Sequence, residues 1–333
     1  MQADRSILAY SIILTNACFL GCSHCFLKNT KNKQKAMEVE TVKKFIDRAM
    51  ETSGELTFNW GGGDPLILGK KYMKDIVSLK CFTDKNTRNT LYSTFLIDFD
   101  AEWKEILNSF DSLMFSLDSY RIKEKGFNIN KVMFNLVNLN VPMNVSYTPS
   151  KEDNEDTIER FYSIAQDIGA EVFHIGFLYD DIELIPPDVY NRAIDKVFSL
   201  QTKYGKPVCG FTPVKDNIYH SVGWRAYDCF TKCRYVCDGE ITSCYILKSK
   251  GFDVPSIKID DFIEGRADIV SMNDSYISSF FLSGRTNECY ECEHFPLCMG
   301  GCPYFVHRSS NINIDAYCSV YKKIIAANLE TTV

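Results

Sequence analysis

Asn16-Ala17-Cys18-Phe19-Leu20-Gly21-Cys22-Ser23-His24-Cys25 places three cysteines on one short segment at C-x3-C-x2-C spacing. An iron-sulfur cluster is ordinarily held by four cysteine thiolates. Three thiolates this close can hold three irons of a cubane and leave the fourth iron open to a small molecule. The competing chemistry is zinc, which needs a fourth ligand to complete its tetrahedron.

Around this segment, short β-rich runs alternate with helical patterns, which predicts βα units and a parallel sheet. Residues 6–15 read as the first strand, so the cysteines follow its carboxyl end. Residues 37–52 carry Val39, Val42, Phe45, Ile46 and Met50 at a helical period. Residues 55–60 read as a second strand running into Gly61-Gly62-Gly63-Asp64-Pro65, where glycines let the backbone approach a ligand closely. Further strands are expected at 91–95, 112–117, 142–148 and 171–177, and helices at 72–79, 101–109, 126–140, 156–168 and 189–204. Six strands make a partial (β/α)6 barrel rather than a closed one of eight. Parallel α/β sheets take their ligands at the carboxyl ends of the strands, where the cysteines and the glycines both fall.

The cysteine spacing resembles that of the radical S-adenosylmethionine (SAM) enzymes, whose open iron chelates the amino and carboxylate groups of SAM. The resemblance implies that Cys18, Cys22 and Cys25 hold the catalytic [4Fe-4S] cluster and that His24 takes the place of an aromatic touching the adenine. It implies a SAM-binding glycine segment at Gly61, Gly62, Gly63 and Asp64, with Asp64 standing where Glu is usual. By the same resemblance Thr94, Ser116, Asp118 and Ser146, at or near strand ends, contact SAM; each would otherwise be an ordinary strand-end polar residue.

The chain has 333 residues, 45% of them apolar and 24% charged, and a net charge of −6. That is enough for one barrel and a smaller module. No basic cluster points to nucleic acid, and the apolar stretch before the cysteines is too short and polar to span a membrane. Fourteen cysteines without an export signal argue for metal binding in a reducing compartment, so a cytoplasmic location is expected. They are unevenly spread: after Cys81 none occurs until Cys209, and nine follow from Cys229 to Cys318. A domain boundary is therefore placed after residue 204, with a core over 1–204 and a cysteine-rich module over 205–333.

Cys289-x2-Cys292-x5-Cys298-x3-Cys302, followed by Cys318, resembles the SPASM extension of radical SAM enzymes that modify peptides and proteins, and Cys229-x9-Gly239-x4-Cys244 fits the first half of the same pattern. Asp238-Gly239 is a hairpin signal between Tyr235-Val236 and Ile241-Thr242. The resemblance implies two auxiliary [4Fe-4S] clusters, an outer one on Cys289, Cys292, Cys298 and Cys318 and an inner one on Cys229, Cys244 and Cys302. Cys233 is the chosen fourth inner ligand; Cys237, Cys209 or an open iron remain alternatives, and zinc is the competing metal.

The implied activity is an oxidative modification, a side-chain crosslink first, of a ribosomally made precursor peptide, started by a 5'-deoxyadenosyl radical. A flavodoxin- or ferredoxin-type donor would supply electrons. With the first strand starting so early, the leader would be read by a separate protein, by the C-terminal module, or not at all. The alternatives are formylglycine formation in a sulfatase, with Asp180 or Asp181 as base, peptide epimerisation with a spare cysteine as hydrogen donor, and a non-enzymatic iron-sulfur electron carrier. Phe280 and Phe281 are expected to pack against the barrel.

Overall fold

The computed structural model describes residues 9–27, 36–52, 54–176, 178, 185–204, 233–269, 285–298, 300–308 and 314–330. Six parallel strands, β1 (Ala9–Thr15), β2 (Leu56–Gly62), β3 (Thr87–Ser93), β4 (Ser112–Ser116), β5 (Met143–Tyr147) and β6 (Val172–Ile175), pair in sequence order. On the other side of β1 lie β7 (Cys233–Cys237), β8 (Glu240–Thr242) and β9 (Ser256–Lys258), making a nine-stranded sheet in the order β6-β5-β4-β3-β2-β1-β7-β8-β9. Among the described residues the sheet ends at β6 and β9 and does not close, which agrees with the partial barrel expected from the strand count.

Strand β7 runs parallel to β1, from Ala9↔Cys233 to Ile12↔Val236. The hairpin read from Asp238-Gly239 therefore extends the sheet of the core. Its turn is built from two left-handed residues, Asp238 at φ 50° and Gly239 at φ 76°, the backbone a two-residue hairpin turn uses. The pairs Tyr235↔Thr242, Val236↔Ile241 and Cys237↔Glu240 fix its register.

Helix α1 (Val39–Thr52) buries Val42, Phe45, Ile46 and Ala49, one stripe at helical spacing, against the sheet. There Tyr10 meets Phe45 edge-on at 5.0 Å and stacks over Phe58 at 6.0 Å. Trp60 is fully buried and its indole donates to Asn89 Oδ1 at 3.0 Å. Helices α2 (Gly69–Val77), α3 (Ala101–Leu107), α4 (Ser119–Ile122), α5 (Ile129–Leu136), α6 (Glu155–Asp167) and α7 (Pro187–Tyr204) follow, the last beginning at the second proline of Pro186-Pro187. The cysteine-rich part adds α8 (Tyr245–Ser249), α9 (Ile259–Ile263), α10 (Asn287–Tyr290), α11 (Phe295–Cys298), α12 (Pro303–Arg308) and α13 (Ile314–Glu330). Helix α13 lies on α7, where Tyr317 donates to Ile185 O at 2.8 Å and Lys323 pairs with Asp195 at 2.5 Å. Among the described residues no helix is long and apolar enough to cross a membrane.

Two elements differ from the expected ones. The third strand ends at Ser93 rather than 95, because Phe95 turns left-handed at φ 54° and Ser93 Oγ accepts the Phe95 N–H at 3.1 Å. The helix expected over 126–140 is present but shorter, Ile129–Leu136. Its start is set by Gly126, left-handed at φ 97°, and by Asn128, which caps it by accepting from Lys131 N.

Candidate functional site

The three-cysteine loop leaves the carboxyl end of β1 and is docked by backbone on the glycine segment. Gly63 N donates to Thr15 O at 2.7 Å, and Asp64 N donates to Ala17 O at 2.8 Å. A Cβ on Gly62, at φ 127°, would stand 2.3 Å from Thr15 O, and one on Gly63 would stand 2.1 Å from Ala17 O. Only glycine permits this approach. Within the loop Cys25 N donates to Cys22 O at 3.2 Å and Leu20 N to Cys18 Sγ at 3.4 Å. Burial pushes the Cys18 and Cys22 thiols up, Cys22 to about 12; a coordinating metal displaces such a proton.

A cavity of about 330 Å³ opens beside the loop at the strand ends, lined by Gly61, Gly62 and Gly63 with Ser93, Thr94, Ser116, Arg121 and the apolar faces of Phe26, Phe127 and Tyr235. This is the size of a small-molecule site, and its glycine floor beside three thiols fits SAM on a three-cysteine cluster. Asp64 does not reach it. Its buried carboxylate accepts Leu66 N at 3.1 Å, Ser93 Oγ at 2.8 Å and both the N–H and hydroxyl of Thr94, tying the end of β3 to that of β2. Asp118 is also buried; it caps α4 and pairs with the Arg121 guanidinium. Ser146 stands next to Ser116 in register on β5, outside the lining of the cavity. The His24 ring lies 4.7 Å from that of Tyr120, tilted by 41°.

Among the cavity residues that the sequence reading missed are Ser93, Phe26, Phe127, Arg121 and Tyr235. Arg121 follows the capping Asp118 by three positions, the spacing of an ion pair on one helical turn. Tyr235 is carried to the site by the pairing of β7 with β1, for which no local pattern is a signal.

The C-terminal cysteines converge on a second cavity, of about 340 Å³, lined by Cys289, Cys292, Cys298, Cys302 and Cys318. The Cys298 thiol is raised first by burial and then by the proximity of Cys318, Cys292 and Cys289. Cys302 stands by Cys244, whose thiol burial pushes to about 12. Gly300 and Gly301, at φ 75° and 82°, turn the chain where a Cβ would meet Arg285 at 2.7 Å and Tyr321 at 2.8 Å. The Cys302 N–H donates to Tyr321 OH at 3.0 Å.

Cys233 begins β7, close to Tyr92. Cys237 is buried with Ile13, Leu27 and Tyr245, against Cys25 and Phe26. The described cysteines are all thiols. Among the described residues no three His, Cys, Asp or Glu side chains converge on one metal-ion position. Cys209, Cys229, Asp180, Asp181, Phe280 and Phe281 lie outside the described residues.

The family model of the Radical SAM superfamily matches residues 12–183, and the chain belongs to that superfamily. Membership makes it an enzyme that uses SAM with a [4Fe-4S] cluster. No curated protein matches the chain. Among solved structures it is similar to native anSMEcpe with bound AdoMet (SAM), at a TM-score of 0.75 and 18% identity over 98% of each chain. It is likewise similar to anSMEcpe with AdoMet and the Cp18Cys peptide, at a TM-score of 0.74 and 17% identity over 98% of this chain and 97% of that one. Streptococcus suis SuiB bound to its precursor peptide SuiA gives a TM-score of 0.67 and 13% identity over 92% of this chain and 74% of that one. What is shared at these identities is the fold.

Proposed function

We propose that this enzyme oxidatively modifies a ribosomally made peptide, forming a side-chain crosslink. The observation that carries the reading is the cavity lined by five cysteines, with Cys244 at its margin. Thiols enough for auxiliary clusters give the electron released by oxidation a place to go, and a redox-neutral reaction has no need of one. The resemblance of this region to the SPASM extension, and the peptides bound in the neighbouring anSMEcpe and SuiB structures, support a peptide substrate.

The catalytic cluster belongs on Cys18, Cys22 and Cys25, where with SAM it supplies a 5'-deoxyadenosyl radical that takes a hydrogen atom from substrate. Gly61, Gly62 and Gly63 cradle SAM with Thr94 and Ser116, and Phe26, Phe127 and Tyr235 exclude water. Asp64 and Asp118 act indirectly, by holding strand ends and α4. The outer auxiliary cluster belongs on Cys289, Cys292, Cys298 and Cys318, the inner on Cys229, Cys244, Cys302 and Cys233. Electrons come from a flavodoxin- or ferredoxin-type donor, and leader recognition falls to a separate protein or to the C-terminal module.

A second reading, formylglycine formation in a sulfatase, is favoured by the match to anSMEcpe along the full length of both chains. Incubation of the reduced protein with SAM and either precursor peptides encoded beside its gene or the Cp18Cys peptide separates the two by mass spectrometry. Loss of about two hydrogens from a precursor supports the crosslink, and conversion of the cysteine in Cp18Cys supports the second reading. A product of unchanged mass that gains deuterium from deuterated water is an epimer and contradicts oxidation.

A further inference from the structure

Residues 118–124 close over the three-cysteine loop. Glu124 Oε1 accepts the Ser23 N–H at 3.2 Å, and the Tyr120 ring lies against His24. Between them Arg121 lines the SAM cavity, and its charge bears on Cys18, Cys22 and Cys25. The segment is braced from behind. Asp118 accepts Arg121 N at 2.9 Å and pairs with the guanidinium. Ser119 donates to the buried Asp153, which also accepts Tyr147 OH at 2.7 Å and Ser150 N at 2.9 Å.

Three thiolates leave a four-iron cubane negatively charged, and one added electron deepens that charge by one unit; net charge is among the factors that set cluster potentials. A cation fixed nearby favours the reduced state and an anion disfavours it, the more so where water screens poorly. Arg121 is the cation that bears on both Cys18 and Cys22, and Glu124 is an anion that bears on Cys22.

We propose that Arg121 and Glu124 are positioning residues that set the reduction potential of the three-cysteine cluster with opposite signs, Arg121 raising it and Glu124 lowering it. The proposal rests on that loop holding the SAM-cleaving cluster. It assigns the pair of the buried Asp118 with the half-buried Arg121 a role besides capping α4: the carboxylate fixes where the guanidinium charge sits.

An anaerobic redox titration of the reconstituted full-length protein, following the electron paramagnetic resonance signal that changes when SAM is added, tests it. Glu124→Gln is expected above wild type, Arg121→Lys level with it, and Arg121→Gln below it. Each shift corresponds to about a tenfold change in the ratio of reduced to oxidised cluster, ~59 mV for a one-electron couple. Glu124→Gln keeps an oxygen to accept the Ser23 N–H, so the charge changes while the contact stays; it carries the test alone if Arg121→Gln fails to assemble. Equal potentials in all four proteins, or shifts of one sign in Arg121→Gln and Glu124→Gln, overturn the proposal. A wild-type protein in which no signal responds to SAM overturns instead the assignment of the loop on which it rests.

Discussion

Cys18, Cys22 and Cys25 are placed by backbone, whereas Cys289, Cys292, Cys298 and Cys318 are placed by the packing of separate helices. The first set lies on one loop whose entry is hydrogen-bonded to Gly63 N and Asp64 N. The second is spread over α10, the loop after it, α11 and α13, where α13 packs on α7 and the Tyr321 hydroxyl accepts the Cys302 N–H. Backbone docking tolerates no substitution at its contact points. Side-chain packing can give way by small amounts, so the two regions are expected to fail differently.

The largest expected effect is in the first region. Gly63→Ala drives a Cβ into Ala17 O, and reductive SAM cleavage, read as 5'-deoxyadenosine formed, falls by about 100-fold or more, as loss of geometry at a reacting centre does. Next, Cys298→Ala or Cys318→Ala in the second region removes about four irons, one cubane's worth, and abolishes peptide modification while peptide-independent SAM cleavage continues. Loss of cleavage in those variants breaks the division between the regions. A smaller effect sharpens it: Tyr321→Phe deprives the Cys302 N–H of its acceptor and costs about 1 kcal/mol, read by chemical denaturation, with the SAM-responsive cluster intact.

The smallest effect belongs to neither region. Lys196 and then Lys203 hold the surface Glu159 carboxyl down, at about 2 against an ordinary 4.5. A carboxylate whose folded value is depressed stabilises above its unfolded value and loses that contribution as pH falls toward the folded one. Glu159→Gln is therefore expected to lower the melting temperature slightly at pH 7, with the difference fading on acidification between these two values. A difference that persists in acid contradicts the ion-pair account.

What could be read from the sequence follows the same contrast. The loop from Cys18 to Cys25 carries its meaning in its spacing, and the six strands announce themselves because each is a short apolar run bounded by turn residues. The glycines were readable as a close backbone approach, but what they approach includes the cysteine loop itself, which no spacing reveals. Asp64 and Asp118 read as ligand contacts, and the structure turns both carboxylates inward, onto Thr94 and Arg121. The parallel pairing of β7 with β1 joins residues over two hundred positions apart; its cause is the open edge of β1, a property of the folded sheet.

The most direct test of the whole account is iron and sulfide quantitation of anaerobically reconstituted protein, wild type against the Cys18/Cys22/Cys25→Ala variant. One catalytic and two auxiliary cubanes predict about twelve irons falling to about eight, with SAM cleavage lost. About four irons with tightly bound zinc would leave the radical SAM core standing and contradict the auxiliary clusters, and with them the oxidative reaction.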